Sequence, residues 1–177
     1  IKHLAVIGKL ADTPNTGDGG SSNTQPAYVV TPLQGLREAL GEEVEIEYDD
    51  GSDPEKAVVL ARRADAVVLV AGYTAKDEGE FIAPEGMTEL AKGFPAPTAE
   101  EQPNAQAIQQ SLLGDEATLE GFAPGGDRAY LTLHPEDEAL IQAVAAVNQR
   151  TIVTMMGGSA IITEAWKDSF SGGDACR

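Results

Sequence analysis

The chain reads as an α/β domain, a mostly parallel sheet sandwiched between helices, and three observations carry that reading. Apolar runs at Leu4-Ala-Val-Ile7, Ala66-Val-Val-Leu-Val-Ala71 and Thr151-Ile-Val-Thr-Met-Met156 have the composition of buried strands. Segments with helical spacing separate the early strands, and the resulting order βαβαβ requires parallel strands joined by crossover helices. At 177 residues with 42% hydrophobic content, the chain is long enough for one sizeable core and short for two full domains.

Leu4 to Ile7, closed by Gly8, is the first strand. Asp12 to Pro26 is rich in Gly, Ser, Asn, Thr and Asp without a hydrophobic period, so it reads as a long loop. Thr31 caps a helix that has Pro32 at its first position, where the missing N–H costs nothing. Leu33, Leu36 and Leu40 then recur at helical spacing before Gly41. Val44-Glu-Ile-Glu-Tyr48 alternates apolar and acidic residues, the pattern of a half-exposed strand at a sheet edge. Ser52 or Asp53 with Pro54 opens a second helix through Ala64, presenting Ala57, Val58, Leu60 and Ala61 to the core. Ala66 to Ala71 follows as a central strand.

From Ala83 to Gly126 prolines at positions 84, 95, 97, 103 and 124 break the pattern, and only Ala105 to Leu113 suits a helix. This stretch reads as an elaborated insertion. Leu131-Thr-Leu133 is brief. Pro135-Glu-Asp-Glu138 then starts a helix with three acids in its favourable first turn, continued by Leu140, Ile141, Val144 and Val147. Thr151 to Met156 is the next buried strand, ended by Gly157-Gly158-Ser159, with Ala160 to Thr163 as a small extension. Residues 167–177 form an irregular tail, leaving a domain over 1–166. Its sheet of about four strands falls short of the usual five or six, so the domain reads as incomplete at its C-terminus. A start at Ile1 that enters a strand almost at once fits an excised or processed piece of something longer.

A formal charge of −17, from 29 acids against 12 bases, argues against nucleic acid as a partner and serves solubility. Cys176 is the only cysteine, so neither an internal disulfide nor a cysteine metal cluster is expected. No apolar run approaches the roughly 20 residues that span a bilayer, and the first eight residues are too short for a signal peptide. His3 and His134 have no evident partner cluster for a metal, and neither GxSxG, GxGxxG nor a Walker lysine occurs. No cofactor is expected.

Chemistry in open α/β sheets collects at the carboxyl ends of strands. The stretch Tyr73 to Phe81, directly after the third apolar run, carries Asp77, Glu78 and Glu80 on a glycine-containing loop. Glu78 and Glu80 are the acid and base candidates there, because unequal burial can tune two nearby carboxyls apart, while ordinary solvated surface is the plainer reading of any acid in so acidic a chain. The loop Asn15-Thr-Gly-Asp-Gly-Gly-Ser-Ser22 offers Asn15, Ser21 and Ser22 as small donors beside Asp18, a set that suits a polyhydroxylated ligand, although composition alone favours a linker. Asp127-Arg128 can fix a loop by an ion pair or reach a ligand.

These motifs, in this order, resemble the C-terminal α/β sandwich domain of family 3 glycoside hydrolases, a family of β-glucosidases, exoglucanases and β-xylosidases. The resemblance rests on Leu4 to Gly8 with Ala11-Asp12, Asn15 to Ser22, Tyr28 to Leu36, Val70 to Phe81, Gly125 to Arg128 with Leu131 to Glu136, and Gly157 to Ser159, and it runs from residue 1 to about Trp166. It implies a retaining exo-acting hydrolase of terminal β-D-glucosyl residues, acting on β-linked glucosides or oligosaccharides. In it, a barrel-like N-terminal domain supplies an aspartate nucleophile, and this domain supplies the acid/base glutamate. Retaining chemistry places the two carboxyls roughly 5–5.5 Å apart. By resemblance the acid/base maps onto Glu78, which precedes Gly79, with Glu80 as the alternate. Asp18, Gly19, Ser21 and Ser22 are implied to line the sugar pocket, and Asp127 and Arg128 to brace the glutamate loop. A periplasmic or secreted location is slightly favoured. With the barrel and later strands absent, the isolated chain is expected to be inactive, and a non-catalytic carbohydrate-binding or interaction domain is the alternative.

Overall fold

A computed structural model of the chain describes residues 1–16, 26–74, 77–78, 98–99, 102, 128 and 130–170. Among the described residues, four strands, β1 (His3–Ile7), β2 (Glu45–Asp49), β3 (Ala66–Gly72) and β4 (Thr151–Met156), form one sheet in the order β2-β1-β3-β4. Every pairing is parallel, with Leu4 opposite both Ile46 and Ala66, and Val67 opposite Thr151. The predicted α/β architecture is therefore present, and β2 occupies the edge that its alternation foretells.

Among the described residues, three helices connect the strands. α1 (Pro32–Leu40) begins where Thr31 Oγ1 accepts from Gln34 N at 3.2 Å, and the same hydroxyl donates to Asp12 Oδ1 at 3.0 Å. One buried threonine thus caps the helix and ties its start to the 3-10 turn Lys9–Asp12 that follows β1. α2 (Pro54–Arg63) is capped by Asp53, whose carboxylate accepts from Glu55 N and Lys56 N. Contacts with Lys56, first through its side chain and then its backbone, hold the Asp53 carboxyl below the ordinary carboxylate range. α3 (Pro135–Ala145) carries Glu136, Asp137 and Glu138 in its first turn, where the helix dipole favours them.

The two faces of the sheet are buried by different elements, and the period of two along each strand decides which residue goes where. Ala5, Ile7, Val67, Leu69 and Ala71 face α2 and α3, joining Ala57, Leu60, Ala61, Leu140, Ile141 and Val144. Leu4, Val6, Ala66 and Val70 face the other way and pack with Leu10, Ala11 and Leu33. Polar ties close the strand entrances. Asp65 Oδ2 accepts from Lys2 N at 2.6 Å and His3 N at 3.0 Å, and these backbone bonds hold its carboxyl below the ordinary range. Asn148 Nδ2 donates to Ala61 O and Ala64 O, linking the segment after α3 to the end of α2.

One expectation changes. β4 is not buried like β3, because among the described residues it pairs with β3 alone, and Ile152 is 65% exposed. Its Val153 and Met156 still reach the two cores. Leu131 to Leu133 forms no strand but a single parallel bridge, Thr132 to Ile162, so the small extension at Ala160 to Thr163 closes against it. Lys167–Ser169 forms a short 3-10 turn, and Phe170 meets the Trp166 ring edge-on at 6.3 Å, which ties the first residues beyond 166 to the core. The predicted helix at 105–113, most of the insertion from 83 to 126 and the tail from 171 lie outside the described residues. No helix among the described residues is long and apolar enough to cross a membrane.

By its contacts the chain divides into two compact units. One comprises Ile1–Asn15, Pro26–Tyr73 and Tyr130–Arg177 and holds the sheet; the other comprises Thr16–Gln25 and Thr74–Ala129.

Candidate active site

Between β1 and β3 the sheet has its topological switch point, since the chain leaves β1 toward β2 on one side and builds β3 and β4 on the other. The crevice beyond the carboxyl ends of two such strands is where open α/β sheets place ligands. Glycines shape both exits. Gly8 has φ +112°, and a Cβ there would lie 2.1 Å from Val70 O; Gly72 has φ +133°, and a Cβ there would lie 2.0 Å from Met156 O. Only a residue without a side chain lets each backbone turn this close to its neighbour.

The exit of β3 is tied from several sides within the sheet-bearing unit. Tyr73 N donates to Met156 O at 2.9 Å, and Asn15 Nδ2 donates to Tyr73 O at 2.8 Å. The Tyr73 hydroxyl bonds to Thr132 O, and its ring lies 4.9 Å from that of His134 at 57°. Asp137, in the first turn of α3, accepts from Gly72 N at 3.4 Å. Asn15 was a candidate sugar donor on sequence; the structure spends its amide nitrogen on Tyr73 O and on Met156 Sδ, joining the loop after β1 to the end of β3.

Past Tyr73 the chain enters the second unit, which brings two of the predicted residues together. Arg128 Nε donates to Glu78 Oε2 at 2.8 Å; the Arg128 side chain is 4% exposed and that of Glu78 20%. A charge-assisted bond to so enclosed a guanidinium fixes the direction in which the glutamate points. Glu78 stands on a tight turn: Asp77 N and Glu78 N both donate to Thr74 O, at 2.9 and 3.1 Å, while Asp77 Oδ2 accepts from Thr74 N at 2.8 Å and Thr74 Oγ1 at 3.0 Å. The roles of Thr74 and Asp77 went unread in the sequence. The signal was there, a threonine followed three residues later by an acid, the spacing of a capping box. Glu80, Asp18, Gly19, Ser21, Ser22 and Asp127 lie outside the described residues. Among the described residues no group of three or more His, Cys, Asp or Glu is arranged to hold a metal.

The fold has close counterparts. A β-glucosidase from Chaetomium thermophilum superposes with a TM-score of 0.62 at 20% identity, over 95% of this chain and 18% of that one. Among curated proteins, a beta-xylosidase of Formosa agariphila is 28% identical over 99% of this chain and 21% of its own length. An exo-alpha-(1->6)-L-arabinopyranosidase of Bifidobacterium longum is 27% identical over 96% of this chain and 17% of its own. The chain thus spans about a fifth of the length of these relatives. The model of the glycosyl hydrolase family 3 C-terminal domain matches residues 1–172. With that match across nearly its whole length, on a parallel α/β sheet of the corresponding architecture, the chain belongs to the glycosyl hydrolase family 3 C-terminal domain family.

Proposed function

We propose that this chain is the acid/base half of a retaining, exo-acting β-glycosidase that removes terminal non-reducing β-D-glucosyl residues, with Glu78 as the acid/base. The observation that carries the reading is the Glu78 carboxylate, set on a closed turn and held by the enclosed Arg128 at 2.8 Å. Acid/base catalysis needs a carboxyl whose position is fixed before the substrate arrives. In the first step Glu78 gives its proton to the leaving glycosidic oxygen, while an aspartate of a separate barrel domain attacks the anomeric carbon and forms a glycosyl ester. In the second, the Glu78 anion takes a proton from water as that water displaces the aspartate. In this reading Asp18, Gly19, Ser21 and Ser22 line the sugar pocket, and Asp127 and Arg128 brace the glutamate loop. Lacking the nucleophile, the isolated chain does not turn over glycosides.

The test is Glu78→Gln in the full-length protein, assayed on a series of aryl glucosides. Poor leaving groups lose roughly 10²–10⁴-fold in rate, the usual contribution of general acid catalysis, and activated leaving groups lose far less. An even, near-normal rate across the series moves the role to Glu80 or elsewhere. Micromolar binding of cellobiose to the chain alone, in calorimetry, would instead favour a carbohydrate-binding module.

A further inference from the structure

Three carboxylates crowd into the stretch from Asp77 to Glu80, and the bonds of the first two separate their tasks. Glu78 faces a guanidinium, whereas Asp77 turns back on the chain: one oxygen, Oδ2, accepts from both the backbone N–H and the hydroxyl of Thr74. In return Thr74 O accepts the backbone N–H groups of Asp77 and Glu78. Among the described residues, four hydrogen bonds therefore close on Thr74, and one of them directly restrains the backbone of Glu78. We propose that Asp77 is a positioning residue for Glu78, locking the turn from Thr74 so that the glutamate carboxyl meets Arg128 in one fixed orientation. This rests on the reading of Glu78 as the acid/base.

The lever is geometric. A glutamate carboxyl sits three rotatable bonds from its Cα, so a small rotation of the backbone moves the carboxyl by much more. Arg128, with only 4% of its side chain exposed, is not placed to follow it. Catalytic groups must be held within about 0.5 Å of the productive position, and a misplacement of about 1 Å can cost 10²-fold in rate. The charge on Asp77 strengthens both bonds from Thr74 relative to a neutral acceptor, so Asn at this position keeps the shape of the turn with weaker bonds.

Two measurements test the proposal. In the chain itself, amide hydrogen exchange at Thr74, Asp77 and Glu78 should be slow, faster in Asp77→Asn and fastest in Asp77→Ala, with the strand amides of β1 and β3 unchanged. In the full-length protein, Asp77→Ala should lower kcat about 10- to 100-fold on glucosides with poor leaving groups, with KM little changed. It should lower kcat much less on activated ones, Asp77→Asn should fall between, and Asp77→Ala should add nothing in a Glu78→Gln background. A wild-type kcat in Asp77→Ala where Glu78→Gln is slow overturns the positioning role, as does an equal loss in both backgrounds. A wild-type rate in Glu78→Gln overturns the reading of Glu78 instead.

Discussion

β3 and β4 are alike as strings of residues and unlike as strands. Ala66 to Ala71 and Thr151 to Met156 are both apolar runs of similar length, and they pair in register from Val67 opposite Thr151 to Gly72 opposite Met156. β3 lies between β1 and β4 with helices on both faces, and Val67 and Leu69 have no exposed surface. β4 has one partner among the described residues and leaves Ile152 and Met155 at 65% and 41% exposure. Composition marks a segment as a strand, whereas its place in the sheet is settled by what packs around it. The segment that carries Glu78 follows β3, the better buried of the two.

The comparison breaks most sharply at Gly72. Ala at this position meets a backbone carbonyl of β4 at 2.0 Å and a φ of +133°, so Gly72→Ala should cost ~3 kcal/mol or more and uncouple the ends of the two strands. Urea denaturation measures it, and a loss under about 1 kcal/mol would mean that β3 and β4 separate easily there. A smaller effect sharpens the contrast between the strands. Val67→Thr puts a hydroxyl into a fully buried site and should cost about 1–3 kcal/mol, while Ile152→Thr on the exposed face should stay within about 0.5 kcal/mol. Equal costs would show that β4 is as enclosed as β3.

Much of this fold was legible because its local signals agree with its packing. Thr31-Pro32 and Asp53-Pro54 open α1 and α2 with the caps their residue types promise, and the Val44 to Tyr48 alternation names an edge strand that the structure places at Glu45–Asp49. The sequence overstates the burial of β4 because Ile152 and Met155 look like core residues. Thr151 and Thr154 were the only hints otherwise, and neither reveals how many partners the strand has. For the candidate site, Glu78 and Arg128 were named from motifs far apart in the chain, and their 2.8 Å contact is long-range information that periodicity does not contain. Asn15 is a residue type that suits a ligand donor, and in the structure its amide fastens the β3 exit. Asp77 was seen only as one of three acids, because a side chain folded back on its own turn looks from sequence like any solvated carboxylate.

The central claim, that Glu78 is the acid/base carboxyl of a retaining reaction, is tested most directly by chemical rescue of Glu78→Ala in the full-length protein. With an activated aryl β-glucoside the glycosyl ester still forms, and its hydrolysis stalls without a base. Azide needs no base, so it should restore turnover and yield the β-glucosyl azide, formed by attack on the ester with overall retention. No rescue, or the α-glucosyl azide expected when the nucleophile has been removed, would contradict the account.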